Sequence, residues 1–292
     1  MEWLTDPWEF EFMQRALLAG VIVAVAGPVV GTFVVVKGLA FLGDAVAHTQ
    51  LAGAAVAVVA GAGSVLITLG AAVAAVLTAL GVVGLTRRTQ LREDTAIGIL
   101  FAGFFALGVI LISRERNFAI DLNSLLIGNI LGVANEDLIV MGVLAAVVIG
   151  TTWLFYAELR YVAYDPDMAA ASGVPVAIVQ TGLLVLVALA AVVAFRLVGV
   201  VLALAMLIAP AATAALVVRT LPRIMGGGVV VGLTATVIGL YASFHADVAA
   251  GPAIVLAAVA LFGVTFLVSP QGLRRRRRAW ESGAAAVDRE AL

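Results

Sequence analysis

The chain has 292 residues, of which 63% are hydrophobic and only 12% charged, and its mean hydropathy is +1.16. A soluble domain carries about 25% charged residues, so these values exclude that class and predict a polytopic integral membrane protein. The net charge of −1 argues against nucleic acid as a partner. The absence of cysteine removes disulfides, thiolate metal sites and cysteine nucleophiles together.

The first residues, Met1-Glu-Trp-Leu-Thr-Asp-Pro-Trp-Glu-Phe-Glu, are acidic where a secretory signal would be basic. They read as an amphipathic stretch with Trp3 and Trp8 at headgroup level. A membrane-crossing helix needs about 20 apolar residues. The stretches that qualify are 14–36, 39–61, 64–85, 95–113, 138–157, 177–195, 197–218, 226–244 and 251–268, which predicts eight or nine spans. The pattern of alternating ten-residue barrel strands is absent, so the fold class is all-α polytopic. The segment 122–134 is too short to cross and reads as re-entrant or interfacial.

Orientation follows from the basic residues. With nine alternating spans, Lys37, the Arg87/Arg88/Arg92 loop, Arg160, Arg219, Arg223 and the run Arg274–Arg278 share one side, which is then cytoplasmic. The N-terminus lies outside and the C-terminus in the cytoplasm. Arg114 and Arg116 are an exception to the rule. The expected organisation is one permease-like domain over 1–292, with a membrane core at 12–270 and a polar Arg-rich tail at 271–292.

Asp44 and His48 lie four residues apart inside the apolar run from Leu39 to Gly61. An ionised group in a membrane helix costs roughly 2.5–3.5 kcal/mol on insertion scales, and such groups face a bundle interior or a wet path. A spacing of four puts both on one helix face, about 6 Å apart along the axis. One reading is a helix cap beside a neutral histidine bonded to a backbone carbonyl. The other is an oxygen and a nitrogen ligand for a divalent transition metal. Two ligands are fewer than the four a metal cage needs, so a second copy related by a two-fold axis would complete an Asp2His2 set. Gln50 is near but off this stripe.

Two further places carry polar pattern. In Tyr164-Asp-Pro-Asp-Met-Ala-Ala-Ala-Ser-Gly173, Asp165 caps a short helix with Pro166 at its first position and Gly173 as its stop. His245 and Asp247 sit in a short outward turn, where Asp247 is expected to cap the last span. Glu93 and Asp94 suit a helix start. No P-loop is possible, because Lys37 is the only lysine and no Gly-x4-Gly-Lys-Ser/Thr occurs; any use of ATP falls to another chain.

The run Gly31-Thr-Phe-Val-Val-Val-Lys-Gly-Leu-Ala-Phe-Leu-Gly-Asp-Ala-Val-Ala-His48, with Glu93-Asp-Thr-Ala-Ile-Gly-Ile-Leu-Phe101, Leu125-Leu-Ile-Gly-Asn-Ile-Leu-Gly-Val133, the 164–173 segment and Val198-Gly-Val-Val-Leu-Ala-Leu-Ala-Met-Leu-Ile-Ala-Pro-Ala-Ala-Thr213, resembles the membrane permeases of manganese/zinc-type ABC importers. The resemblance covers about residue 12 to Pro270. It implies a type II-like importer fold, a homodimer in the cell membrane, two cytoplasmic ATP-binding subunits, and an extracellular or periplasmic metal-binding protein. It also implies that Asp44 and His48 contact the transported Mn2+ or Zn2+, and that Asp165, Pro166, Ala170 and Gly173 belong to a helix docking on the ATPase. No covalently bound cofactor and no enzymatic activity of the chain itself are expected; ATP acts only through the partner. One departure is Ala250-Gly251-Pro252, where the family often has Ser-Gly, which weakens a gate role for His245 and Asp247. The competing functions are a stand-alone divalent cation carrier or channel, and an ABC permease for a chelated metal or a cobalamin-like cargo.

Overall fold

The computed structural model describes residues 9–113 and 130–269, with backbone alone at 196–202. Residues 1–8, Arg114, Arg116, most of the expected re-entrant segment and the Arg274–Arg278 tail lie outside the described residues. Among the described residues every regular element is helical. The helices are α1 (Glu11–Lys37), α2 (Ala40–Val59), α3 (Ser64–Arg88), α4 (Glu93–Ile112), α5 (Asn135–Leu154), α6 (Tyr156–Tyr164), α7 (Pro166–Ala171), α8 (Val176–Val217), α9 (Leu221–Ala246) and α10 (Ala250–Val268), with a single 3-10 turn at Ile130–Gly132. Among the described residues eight helical stretches are long and apolar enough to cross a membrane, and Ala203–Val217 is a shorter apolar one.

Hydrocarbon offers a backbone no hydrogen-bond partner, so each span must satisfy itself as a helix. The buried hydroxyls follow the same rule. Thr32 donates to the Pro28 carbonyl at 2.7 Å, Thr78 to Ala74 at 2.8 Å, and Thr152 to Val148 at 2.7 Å. The first of these bonds puts a donor on the carbonyl of Pro28, whose ring interrupts the α1 ladder.

Small residues set how the helices meet. A methyl added at Gly53 of α2 would collide with the Gly70 carbonyl of α3, and one at Gly31 of α1 with the Leu207 carbonyl of α8. The register of α1 against α9 is antiparallel, since Gly20 meets Thr236, Ala24 meets Gly232 and Pro28 meets Gly228. Gly239 likewise packs on Ile254, so α10 runs back beside α9. The N-terminal end of α1 and the C-terminal end of α10 therefore lie at opposite faces of the bundle. Phe10 packs on Phe244 with ring centroids 5.8 Å apart, which fixes the first of these faces.

The two stretches expected at 177–195 and 197–218 are joined in one continuous helix of 42 residues, whose halves Val176–Phe195 and Ala203–Val217 correspond to the two expected stretches. This helix is not straight, for it would then be about 63 Å long. Leu183 and Leu184 share a cavity wall with Lys37, and Leu207 lies against Gly31. Lys37 and Gly31 are about 9 Å apart along α1, whereas a straight helix would hold Leu184 and Leu207 about 34 Å apart. The second half, Ala203–Val217, therefore turns back and passes from Gly43 of α2, over Gly27 and Gly31, to Gly227 and Gly228 of α9.

Backbone contact predicts a sharp contrast between two glycine substitutions. Gly53→Ala should destabilise the protein in detergent by about 1–3 kcal/mol through overpacking. Gly182→Ala, where an added methyl meets nothing within 4 Å, should leave the thermal midpoint unchanged or raised. A midpoint scan of the two variants checks this.

Candidate metal site and coupling face

Asp44 stands one turn into α2, whose N-cap is Leu39. It does not cap the helix, so that alternative is removed for this residue. The histidine half of the alternative is present: His48 Nδ1 lies 2.9 Å from the Asp44 carbonyl oxygen, four residues back. A carbonyl only accepts, so Nδ1 carries the proton and the lone pair of the neutral ring is on Nε2. That tautomer suits a metal ligand, because the second nitrogen is held by a hydrogen bond while the first remains free to donate electrons. The Asp44 Oδ1 lies 3.5 Å from the same Nδ1. The carbonyl bond therefore leaves a ligand role open to this pair.

The ring is fixed from outside by α4. Phe101 and Phe105 present edges to His48 at 5.3 and 5.9 Å between centroids, and they stack on each other at 5.8 Å. This aromatic wall was not singled out in the sequence, although a spacing of four on an apolar helix signals one face. The Asp44 side chain is 40% exposed and that of His48 is 19% exposed. Among the described residues no group of three or more histidines or carboxylates gathers, and Asp44 and His48 stand as a pair with the carboxylate partly exposed. Gln50 is fully buried, and its spacing of two from His48 sets it off the face that Asp44 and His48 share.

At the other sequence-predicted positions the outcomes differ. Asp165 accepts a hydrogen bond from the Met168 amide at 2.9 Å, Pro166 opens α7, and Gly173 adopts φ 82° beyond its end. Ala169 is buried and anchors α7, while Ala170 is exposed. Beside them Tyr161, Tyr164 and Met168 are exposed apolar side chains, which the sequence reading did not mark. The stretch before the cap is a separate helix, α6. His245 is helical, with Nδ1 3.0 Å from the Tyr241 carbonyl and its ring against Tyr241 and Phe244. Asp247 does not cap α10: it ends α9 in the left-handed conformation at φ 53°, and Ala249 precedes α10 without a side-chain cap. The two residues do not converge with Asp44 and His48, which lie toward the opposite end of the bundle.

The basic residues gather as the orientation rule expects. Arg87 donates to the Ala177 carbonyl and, at 3.1 Å, to Thr181 at the start of α8. Lys37 donates to the Val162 carbonyl at 3.2 Å. The antiparallel register of α1 and α9 brings Arg219 and Arg223 to this same face.

The ABC 3 transport family model matches residues 9–269. The chain belongs to this family. It is similar to the manganese transport system membrane protein MntC of Halalkalibacterium halodurans, at 38% identity over 282 residues, covering 95% of this chain and 96% of that one. It is also similar to the chelated iron transport system membrane protein YfeD of Yersinia pestis, at 34% identity over 265 residues and 91% and 88% coverage. Among solved structures, PsaBC from Streptococcus pneumoniae in complex with Fab matches at a TM-score of 0.84 and 34% identity, covering 95% of this chain and 99% of that one. The chain is thus a multi-pass membrane permease of the metal ABC importer class, a transport component rather than an enzyme.

The cap geometry makes a local prediction. Asp165→Ala should cost α7 about 1 kcal/mol, and hydrogen exchange at the Met168 amide should speed up by about fivefold. The amides of α6 serve as the unchanged control.

Proposed function

We propose that this permease moves a divalent transition metal, with manganese as the favoured cargo and zinc the alternative, along the axis of a homodimer. The observation that carries this reading is the Asp44–His48 pair, with Nε2 free, one carboxylate half-exposed, and no third ligand among the described residues. A second copy set against that open side supplies the other two ligands. Carboxylate oxygen suits manganese and imidazole suits zinc, and neither excludes the other. The name of the MntC relative favours manganese.

In this mechanism an extracellular or periplasmic metal-binding protein delivers the ion to an outward-open vestibule. Asp44 and His48 of both copies replace part of its hydration shell, and the carboxylates offset its charge. Two ATP-binding subunits dock on the face formed by Tyr161, Tyr164, Met168 and Ala170, with the helix over Asp165–Gly173 as the coupling element. Their closure rocks the two permeases and opens the site to the cytoplasm. The basic face with Lys37, Arg87, Arg160, Arg219 and Arg223 is cytoplasmic by the positive-inside rule, which leaves the N-terminus outside and the C-terminus inside. A site of four ligands that holds its ion only moderately releases it within a transport cycle.

The test is uptake of radiolabelled manganese by proteoliposomes holding the permease and its ATPase subunits. Asp44→Ala and His48→Ala should each abolish uptake while leaving assembly and basal ATP hydrolysis in place. Wild-type uptake by both variants overturns the site assignment. Uptake by the permease alone, without ATP, favours a stand-alone carrier. The likeness to a chelated-iron permease makes competition by zinc and iron the measurement that ranks the cargoes.

A further inference from the structure

The coupling segment reaches the rest of the bundle by few routes. Its short helix α7 packs on α6 and α8, and α6 in turn packs on α1, α5 and α8. Where α6 meets α1, Lys37 Nζ donates to the carbonyl oxygen of Val162 at 3.2 Å. The sequence explains why that carbonyl is free. In an α-helix it would accept from the amide four residues on, but that residue is Pro166, which has no N–H. The Asp165 amide is already given to Tyr161, at 3.0 Å. Asp-Pro therefore does two things at once: it caps α7, and it leaves the Val162 carbonyl to a side chain from another helix.

That side chain ends α1 and stands just before the ligand helix. Gly38 follows in the left-handed conformation at φ 69°, with its amide on the Val34 and Val35 carbonyls, and the Leu39 amide is on Val34 at 2.9 Å. Ala40 then opens α2, with Asp44 in its second turn. This elbow is two residues long and both its amides are hydrogen-bonded, so displacement of Lys37 reaches Asp44 with little slack. Lys37 also lines a void of about 20 Å³ with Glu93 and Gln180, room for roughly one water. Glu93 opens α4, the helix that carries Phe101 and Phe105.

We infer that Lys37, through its hydrogen bond to the Val162 carbonyl, is the positioning residue that transmits movement of the coupling segment to the Asp44–His48 site. This rests on the importer reading above. The ammonium holds α6 to the start of the ligand helix, and Glu93 at the start of α4 borders the same void.

The experiment compares wild type, Lys37→Met and Lys37→Arg in the complete importer in proteoliposomes, reading manganese uptake per ATP hydrolysed and, separately, manganese binding in detergent. Wild-type uptake is the reference; its absence would count against the importer reading rather than against Lys37. With wild type active, Lys37→Met should lower uptake per ATP by about tenfold, the factor corresponding to one lost hydrogen bond to a charged group. Its manganese binding and its ATP hydrolysis should persist, and Lys37→Arg should restore uptake because it keeps both charge and donor. Wild-type uptake per ATP in Lys37→Met overturns the inference. So does failure of that variant to assemble, or loss of manganese binding, since either assigns Lys37 to the fold or the site instead.

Discussion

Backbone approaching backbone at glycine is the contact on which this bundle depends. Lipid tails are as apolar as leucine, so burying a side chain between two membrane helices gains little by itself. Close dispersion contact over a long seam has to supply the association. Gly53 against Gly70 joins α2 to α3, and Gly31 against Leu207 joins α1 to the second half of α8. Both seams border α2, so the helix carrying Asp44 and His48 is held where its position can be reproduced from one molecule to the next.

A rigid seam on one side and an open side on the other give the site its character. His48 is braced twice, by the Asp44 carbonyl and by the α4 phenyl edges, so its free nitrogen points in one direction before any ion arrives. Asp44 has no such brace beyond the contact with the same imidazole. The pair therefore combines one preorganised side chain with one adaptable one. In the proposed site such a pair would bind without caging, which a transported ion requires.

Most of this was legible where the signal is local. The stretch 39–61 is Ala40–Val59 and the stretch 251–268 is Ala250–Val268, because a long apolar run in a membrane has one outcome. The Asp165 cap was legible because side chain and amide are three residues apart. The errors lie where distant partners decide. The stretches 177–195 and 197–218 read as two separate helices, yet the backbone stays helical between them. Asp247 reads as a cap for the helix that follows, but the chain turns at that residue itself, in a conformation that aspartate tolerates better than most. Nor does any local pattern announce Lys37 with Val162, 125 residues away; it becomes visible only when the missing amide of Pro166 is set beside the position of α1.

Two mechanical routes converge on the first turns of α2. One enters through α6, Lys37 and the two-residue elbow. The other enters through α8, which begins beside the coupling segment, passes the void shared with Lys37 at Gln180, and turns back to rest Leu204 against Gly43, the residue before Asp44. Both routes start at the face where the exposed tyrosines stand, and both end at the carboxylate rather than at the imidazole. His48 moves with α4 as well as with α2, since its ring is wedged against Phe101 and Phe105. A push delivered at Asp44 while the imidazole is held by that wall changes the spacing of the two ligands. In the proposed four-ligand site made of two such pairs, widening that spacing in both copies at once would remove coordination symmetrically and release the ion.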